Sequence, residues 1–478
     1  MLPADFDEQI TRRDECWESL AAAVWFWTLT GASKKTLNSP CGCVFSSAMK
    51  FTPLAAVITI SALSPSLSAE QVGPWNLDAL KNNVPAMNWL RQDQPIHSLT
   101  YAGEKYQGHD TEVFAFYASP TTLGEAKAGT KFPAVVCIHG GGGTAFAEWV
   151  QLWAKRGYAA IAMDLNGSRP PEVEFDAKGI AIGNGHRGTR TRLPSGGPPH
   201  GHPEKFDSIK TTDTSDDWPF HAAASVMRAH TLLRSFPEVD AEHTAVTGIS
   251  WGGYTTCLVA SLDDRFKAAV PVYGCGFLHE GESVQKPSID KLGDHKAKWV
   301  KEYDPGSLLP RCRVPIMFVN GTNDVHYVLD SYMKSYNVVP GEKHMRIQVK
   351  MPHGHPPGWA PQEIGLFIDS KCRDSKPLPI LGQPRIDGDT VRVNVNSRPP
   401  IKLKSAALHY TKDGGLRSKR EWVTVPAAIF DITPSTNDAI IKIYKITAPK
   451  PPSEANTWYL SVTDERDAMV STPVVLKP

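Results

Sequence analysis

Neither charge dominates this chain. Over 478 residues, 51 Lys and Arg face 50 Asp and Glu, leaving a formal net charge of +1. Without a basic footprint, binding along a phosphate backbone has no electrostatic drive, so nucleic acid is not expected as a partner. Cysteine is scarce: eight residues, at 16, 41, 43, 137, 257, 275, 312 and 372, none spaced as CxxC. That argues against structural zinc, and His186, His200 and His202 match no ligand motif, so they read as solvated loop residues. No metal and no cofactor is expected. No apolar run approaches the roughly 18 residues of a membrane-spanning helix, which removes an integral span from consideration. No cysteine follows Cys372, so the C-terminal part holds no internal disulfide. A bridge between Cys312 and Cys372 stays open.

What is present begins with an address. Met49-Lys50-Phe51 opens a short basic start, Leu54 to Leu63 is apolar, and Ser64-Pro-Ser-Leu-Ser-Ala69 offers small residues for cleavage. This layout is that of a secretory signal peptide over 49–69. It predicts a mature chain from about Glu70, secreted or periplasmic. Residues 1–48 read as a non-native or disordered upstream extension; a real amphipathic N-terminal helix is the competing reading.

The chemistry starts at Gly248-Ile249-Ser250-Trp251-Gly252. It follows the apolar Thr244-Ala-Val-Thr247 and precedes a helix-like stretch from Tyr254 to Ala260. Strand, G-x-S-x-G, helix is the context of a nucleophile elbow, with Ser250 on a strained turn. A serine hydroxyl is a weak nucleophile at neutral pH, so a base, an orienting acid and an oxyanion site must lie elsewhere. Phe132 to Ile138 reads as a fully buried strand and ends in His139-Gly140-Gly141-Gly142-Gly143. Backbone N–H groups of Gly140, Gly141 and Gly142, with that of Trp251, are the oxyanion-hole candidates. The acid candidate is Asp324, in Asn320-Gly-Thr-Asn-Asp324 at the end of the buried strand Val314–Val319. The base lies on the loop after a strand from Met345 to Met351, where His353 and His355 compete. The balance leans to His355, with the other beside the site.

Taken together, Ser250, Asp324, a histidine at 353 or 355 and His139-Gly-Gly-Gly-Gly143 resemble the α/β-hydrolase superfamily. The nearest branch holds the dienelactone hydrolases, acetyl xylan esterases and prolyl-oligopeptidase-like enzymes. Val239 to Tyr254 and Asp263 to Pro271 are similar to its secreted bacterial esterase-like members. Asn320 to Asp324 is similar to the PhoPQ-activated pathogenicity-related proteins. Over about residues 95–372 the resemblance implies an eight-stranded, mostly parallel sheet with flanking helices. It also implies a serine ester hydrolase working through an acyl-enzyme on short acetyl-type or small aromatic esters, including esters on polysaccharide. A peptidase of the prolyl-oligopeptidase type and a non-catalytic binder that keeps the triad are the alternatives. His139, Tyr273 and Phe277 are candidate substrate contacts, with Trp299 a further candidate wall.

Residues 168–217, rich in Gly, Pro, His and Arg, read as a long excursion over the sheet edge or pocket mouth. The resemblance implies that residues 271–309 form a cap or pocket wall, and Trp218 to Arg234 reads as a helix. After the catalytic domain at 70–372 the pattern becomes all-β. Thr390–Val395, Ala439–Tyr444 and Trp458–Val462 alternate, with turn signals between them. An immunoglobulin-like sandwich over 376–478 is expected, serving packing, dimerisation or carbohydrate attachment. Its aromatics Tyr410, Trp422 and Trp458 are expected to pack.

Overall fold

The computed structural model describes residues 70–182, 190–201, 204–434 and 440–477. The signal-peptide and extension readings, Cys16, Cys41, Cys43, His186 and His202 lie outside these residues.

The central sheet has nine strands. They are β1 (Met87–Arg91), β2 (His97–Ala102), β3 (Glu112–Ala118), β4 (Phe132–Ile138), β5 (Ala159–Met163), β6 (Val239–Ile249), β7 (Ala268–Val272), β8 (Ile316–Gly321) and β9 (Lys343–Gln348). Their spatial order is β9-β8-β7-β6-β4-β5-β3-β2-β1. The first six in that order are parallel, and β3, β2 and β1 join antiparallel. β4, β5 and β7 are buried almost throughout, as strands covered on both faces must be, which is why they read as continuous apolar runs. The resemblance implied eight strands. The ninth is β1, which extends the antiparallel edge and precedes the stretch that carries the resemblance.

Four helices pack against this sheet in two pairs. α2 (Trp218–Ser235) lies on α3 (Trp251–Leu262), and both cover the middle strands. α1 (Ala147–Lys155) and α5 (Gln362–Cys372) form the other pair, tied where Arg156 and Tyr158 hydrogen-bond Asp369. A fifth, α4 (Leu329–Val338), follows β8. The chain leaves β4 toward β5 on one side and later places β6 on the other side of β4. That reversal is a topological switch point, where the carboxyl ends of neighbouring strands diverge and leave a crevice. Gly248 of β6 pairs with Ile138 of β4, so the loops carrying Ser250 and His139-Gly140 leave the sheet side by side.

Beyond α5 the structure is all-β, with two five-stranded antiparallel sheets. One is centred on β10 (Thr390–Ser397) paired with β12 (Lys442–Pro449). The other is centred on β11 (Leu403–Thr411) and β13 (Thr457–Asp464), flanked by β14 (Met469–Ser471). β10 alternates exposed and buried residues strictly, with Val391, Val393 and Val395 inward. β13 is buried on nearly every residue. Of the strand expected at Ala439–Tyr444, Ala439 lies outside the described residues, and β12 begins at Lys442. Trp458 is buried, and Tyr410 and Trp422 pack against the core half-buried. All described residues fall in one compact unit. The two parts meet at the sheet edge, where Ile347 N–H donates to Ser471 Oγ (3.1 Å) and Met469 N–H to Glu363 Oε1 (2.6 Å). Strand β14 thereby covers the edge strand β9.

The open disulfide question closes here. Cys137, Cys257, Cys275, Cys312 and Cys372 are all free and buried. Burial pushes the Cys312 and Cys372 thiols up to about 12, so both stay protonated packing groups.

Candidate active site

Ser250 sits between β6 and α3 with φ 60° and ψ −117°, a backbone conformation that a residue with a Cβ adopts only when its surroundings impose it. Its own N–H donates to Val272 O (2.8 Å), and its carbonyl accepts from Tyr254 N–H (2.9 Å). The flanking glycines make the turn sterically possible. A Cβ on Gly252 would stand 2.0 Å from Ile138 O, and one on Gly248 would stand 2.2 Å from Gly252 O. Any side chain at either position would push the helix off the sheet.

Three side chains from three loops then meet. Ser250 Oγ lies 3.0 Å from His353 Nε2, and His353 Nδ1 lies 2.6 Å from Asp324 Oδ2. With the carboxylate as acceptor, Nδ1 carries the proton and Nε2 is left to accept from the serine hydroxyl. The other carboxylate oxygen, Asp324 Oδ1, accepts the N–H groups of His326 (2.8 Å) and Tyr327 (2.9 Å). Those two bonds fix the carboxylate plane, leaving Oδ2 for the imidazole.

The histidine favoured by the sequence, His355, is not the one beside Ser250. Its Nε2 accepts the Gly140 N–H at 2.9 Å, and its ring packs on Phe146 at 4.5 Å between centroids. His355 opens a short helix, His355–Trp359, which turns its ring toward the glycine loop, while His353 precedes that helix on the exposed side. Both residues follow β9 closely, and only their direction separates them.

The same bond revises the oxyanion loop. The Gly140 amide, expected as a donor, is committed to His355. Gly140 still brings the loop against the nucleophile, since a Cβ there would stand 2.9 Å from Ser250 Cβ. A Cβ on Gly141 would lie 3.1 Å from the Trp251 ring, so this residue adjoins the start of α3. Gly142 has φ +74°, open to solvent around it, and Gly143 N–H closes the turn on Gly140 O (3.1 Å). From the long 168–217 excursion, Arg190 donates to the carbonyls of Gly143 (2.5 Å) and Gly142 (3.2 Å). The excursion thus lies over the glycine loop. His200, expected in solvent, is buried with its ring against His139 (5.4 Å) and Trp218 (5.0 Å). Burial drives its pKa well below the ordinary histidine value.

The expected substrate contacts move inward. His139 is buried, donates from Nδ1 to Gly140 O (2.8 Å) and accepts Leu165 N–H at Nε2 (2.9 Å). It ties the ends of β4 and β5 together and has no nitrogen left for a substrate. Tyr273 is also buried, with its hydroxyl on Pro352 O (2.6 Å) and its ring 4.6 Å from that of His353. It backs the histidine. Phe277, half-buried, rests beside Gly306 and under Lys334. Trp299 is fully buried and stacks on Tyr254. Sequence reasoning missed His326, whose ring lies 4.7 Å from that of His353, and Tyr327, whose ring is parallel to it at 6.4 Å. The only signal was their position two and three residues after Asp324, which marks proximity in chain but not direction.

Residues 120–351 match the model of the Dienelactone hydrolase family. Among solved structures, an acetyl xylan esterase from Paenibacillus sp. R4 is similar at 22% identity, covering 62% of this chain and 92% of its own, with a TM-score of 0.49. Acetyl xylan esterase 1 from Thermoanaerobacterium sp. JW/SL YS485 is similar at 18% identity, over 58% and 84% of the two chains, with a TM-score of 0.42. The acylaminoacyl peptidase of Pyrococcus horikoshii follows at 18%, over 59% and 42%, with a TM-score of 0.40.

Proposed function

We propose that this chain, whose residues 120–351 match the dienelactone hydrolase family model, cleaves carboxylic esters through an acyl-enzyme on Ser250, favouring short-chain or small aromatic esters. One observation carries the reading: the unbroken hydrogen-bonded line from Ser250 Oγ through the His353 ring to Asp324. His353 Nε2 takes the serine proton as Oγ attacks the ester carbonyl. Asp324 keeps Nδ1 protonated and offsets the positive charge that the ring acquires. The N–H groups of Trp251 and Gly141 stabilise the oxyanion, at roughly 3 kcal/mol for each well-aimed donor. His353 then returns its proton to the leaving alkoxide, and water repeats the sequence to release the acid.

Polysaccharide-borne acetyl groups are the substrate we favour, for an enzyme acting outside the cytoplasm. That preference rests on the export signal at 49–69 and on the β domain joined to the catalytic one. A fluorophosphonate probe tests the core of the reading. It should label wild type at Ser250 and leave Ser250→Ala unlabelled. Folded wild-type protein that resists labelling, or Ser250→Ala that still hydrolyses p-nitrophenyl acetate at near wild-type rate, would refute it. A panel of p-nitrophenyl chain lengths run beside acetylated xylan tests the substrate preference.

A further inference from the structure

We propose that the C-terminal β domain is a working part of the catalytic site: the loop 412–421 holds the turn that presents Asp324, making Asn323 and Arg417 positioning residues. This rests on the triad assigned above. The turn is held on both sides of the aspartate. Before it, Asn323 Nδ2 donates to Arg420 O (2.9 Å) and Ser418 O (3.3 Å), two carbonyls of that loop. Asn323 Oδ1 accepts from Thr322 Oγ1 (2.6 Å), which in turn accepts Lys350 N–H (2.9 Å), so both amide ends are engaged. After it, Val284 N–H donates to Val325 O (3.1 Å) and Ser283 Oγ to His326 O (2.7 Å). Arg417 joins the two sides. Its side chain is nearly buried, with Nε on Glu282 (3.0 Å), next to Ser283, and Nη2 on Asp330 at the start of α4. Lys350, three residues before His353, pairs with Glu421 of the same loop at 2.6 Å.

The loop thus touches the segments that carry the acid and the base, yet it belongs to a domain anchored elsewhere through Ser471 and Met469. Removing one loop contact therefore leaves the domain in place and loosens only the turn. A carboxylate displaced by a fraction of an ångström no longer aligns the imidazole, and such misplacement lowers the chemical step more than binding.

The test uses the full chain in four variants: Asn323→Ala, Arg417→Ala, Arg417→Lys and, as a remote interface control, Ser471→Ala. For Arg417→Ala and Asn323→Ala, kcat on p-nitrophenyl acetate should fall roughly ten- to hundredfold with KM little changed, and fluorophosphonate labelling should slow in step. Arg417→Lys, which keeps a cation between Glu282 and Asp330, should recover most of the loss, and Ser471→Ala should stay near wild type. If Asn323→Ala does not fold, Arg417→Ala carries the same readout from the other side of the contact. Wild-type kcat in folded Arg417→Ala overturns the proposal while Ser250→Ala remains inactive. Equal losses in Ser471→Ala overturn it too, because they reduce the loop to general interface stability.

Discussion

The backbone at Ser250 makes a prediction whose sign is opposite to ordinary expectation. At φ 60° and ψ −117°, a residue with a Cβ stores about 1–3 kcal/mol of strain. Replacing Ser250 by Ala removes the hydroxyl and its bond to His353 but keeps the Cβ and the strain. Replacing it by Gly removes the same hydroxyl and also the strain, at a cost of about 0.4–1 kcal/mol in unfolded-state entropy. The contrast between the two variants cancels the lost hydrogen bond and leaves strain against entropy. Ser250→Gly should therefore be more stable than Ser250→Ala by about 1 kcal/mol, although Gly is usually the less stable of the two. In a chain this long the thermal midpoint would move by only about 1–2 °C, so denaturant midpoints read with one slope are the better measurement. Both variants should be inactive. If Ser250→Ala is the more stable, the strained elbow is not a property of this protein, and the account of Gly248 and Gly252 loses its basis.

The histidine assignment separates by mutation: His353→Ala should lose roughly 10⁴-fold or more in kcat. His355→Ala, which frees the Gly140 amide and removes the ring packed on Phe146, should lose roughly tenfold, and steady-state kinetics on p-nitrophenyl acetate decide. Gly252→Ala places a methyl 2.0 Å from Ile138 O, so we expect severe loss of folded yield by circular dichroism and soluble expression, not merely of activity. Lys205, buried over the Trp251 ring at 4.9 Å, has its pKa lowered from 10.5 to about 8 by desolvation. Between those values the unfolded chain binds more protons, so this lysine penalises the fold fully below pH 8 and progressively less toward pH 10.5. Lys205→Met should then be more stable than wild type at pH 7, by at most ~3 kcal/mol. The gap should close as pH rises through that window, as denaturant melts at pH 7 and pH 10 would show.

What the amino-acid order determined here is local. A buried apolar run followed by glycines, and a serine between glycines at a strand-to-helix turn, dictate their own backbone geometry, so Phe132–Ile138, the elbow and the Asp324 turn were legible before any coordinates. The alternating strands of the C-terminal region were legible for the same reason, since a two-residue period has one structural meaning. Tertiary structure decided everything that depends on direction across loops. His353 and His355 are two residues apart and chemically identical; the short helix that begins at His355 turns one ring to the glycine loop and leaves the other facing Ser250. The Gly140 amide looked free because its partner lies 215 residues away. His139 read as a substrate contact and His200 as a solvated loop residue, and only the packed layer beneath the 168–217 excursion buries them. The bracing of Asn323 by Ser418 and Arg420 joins positions about a hundred residues apart in chain, a distance over which pattern carries no information and only the fold brings the partners together.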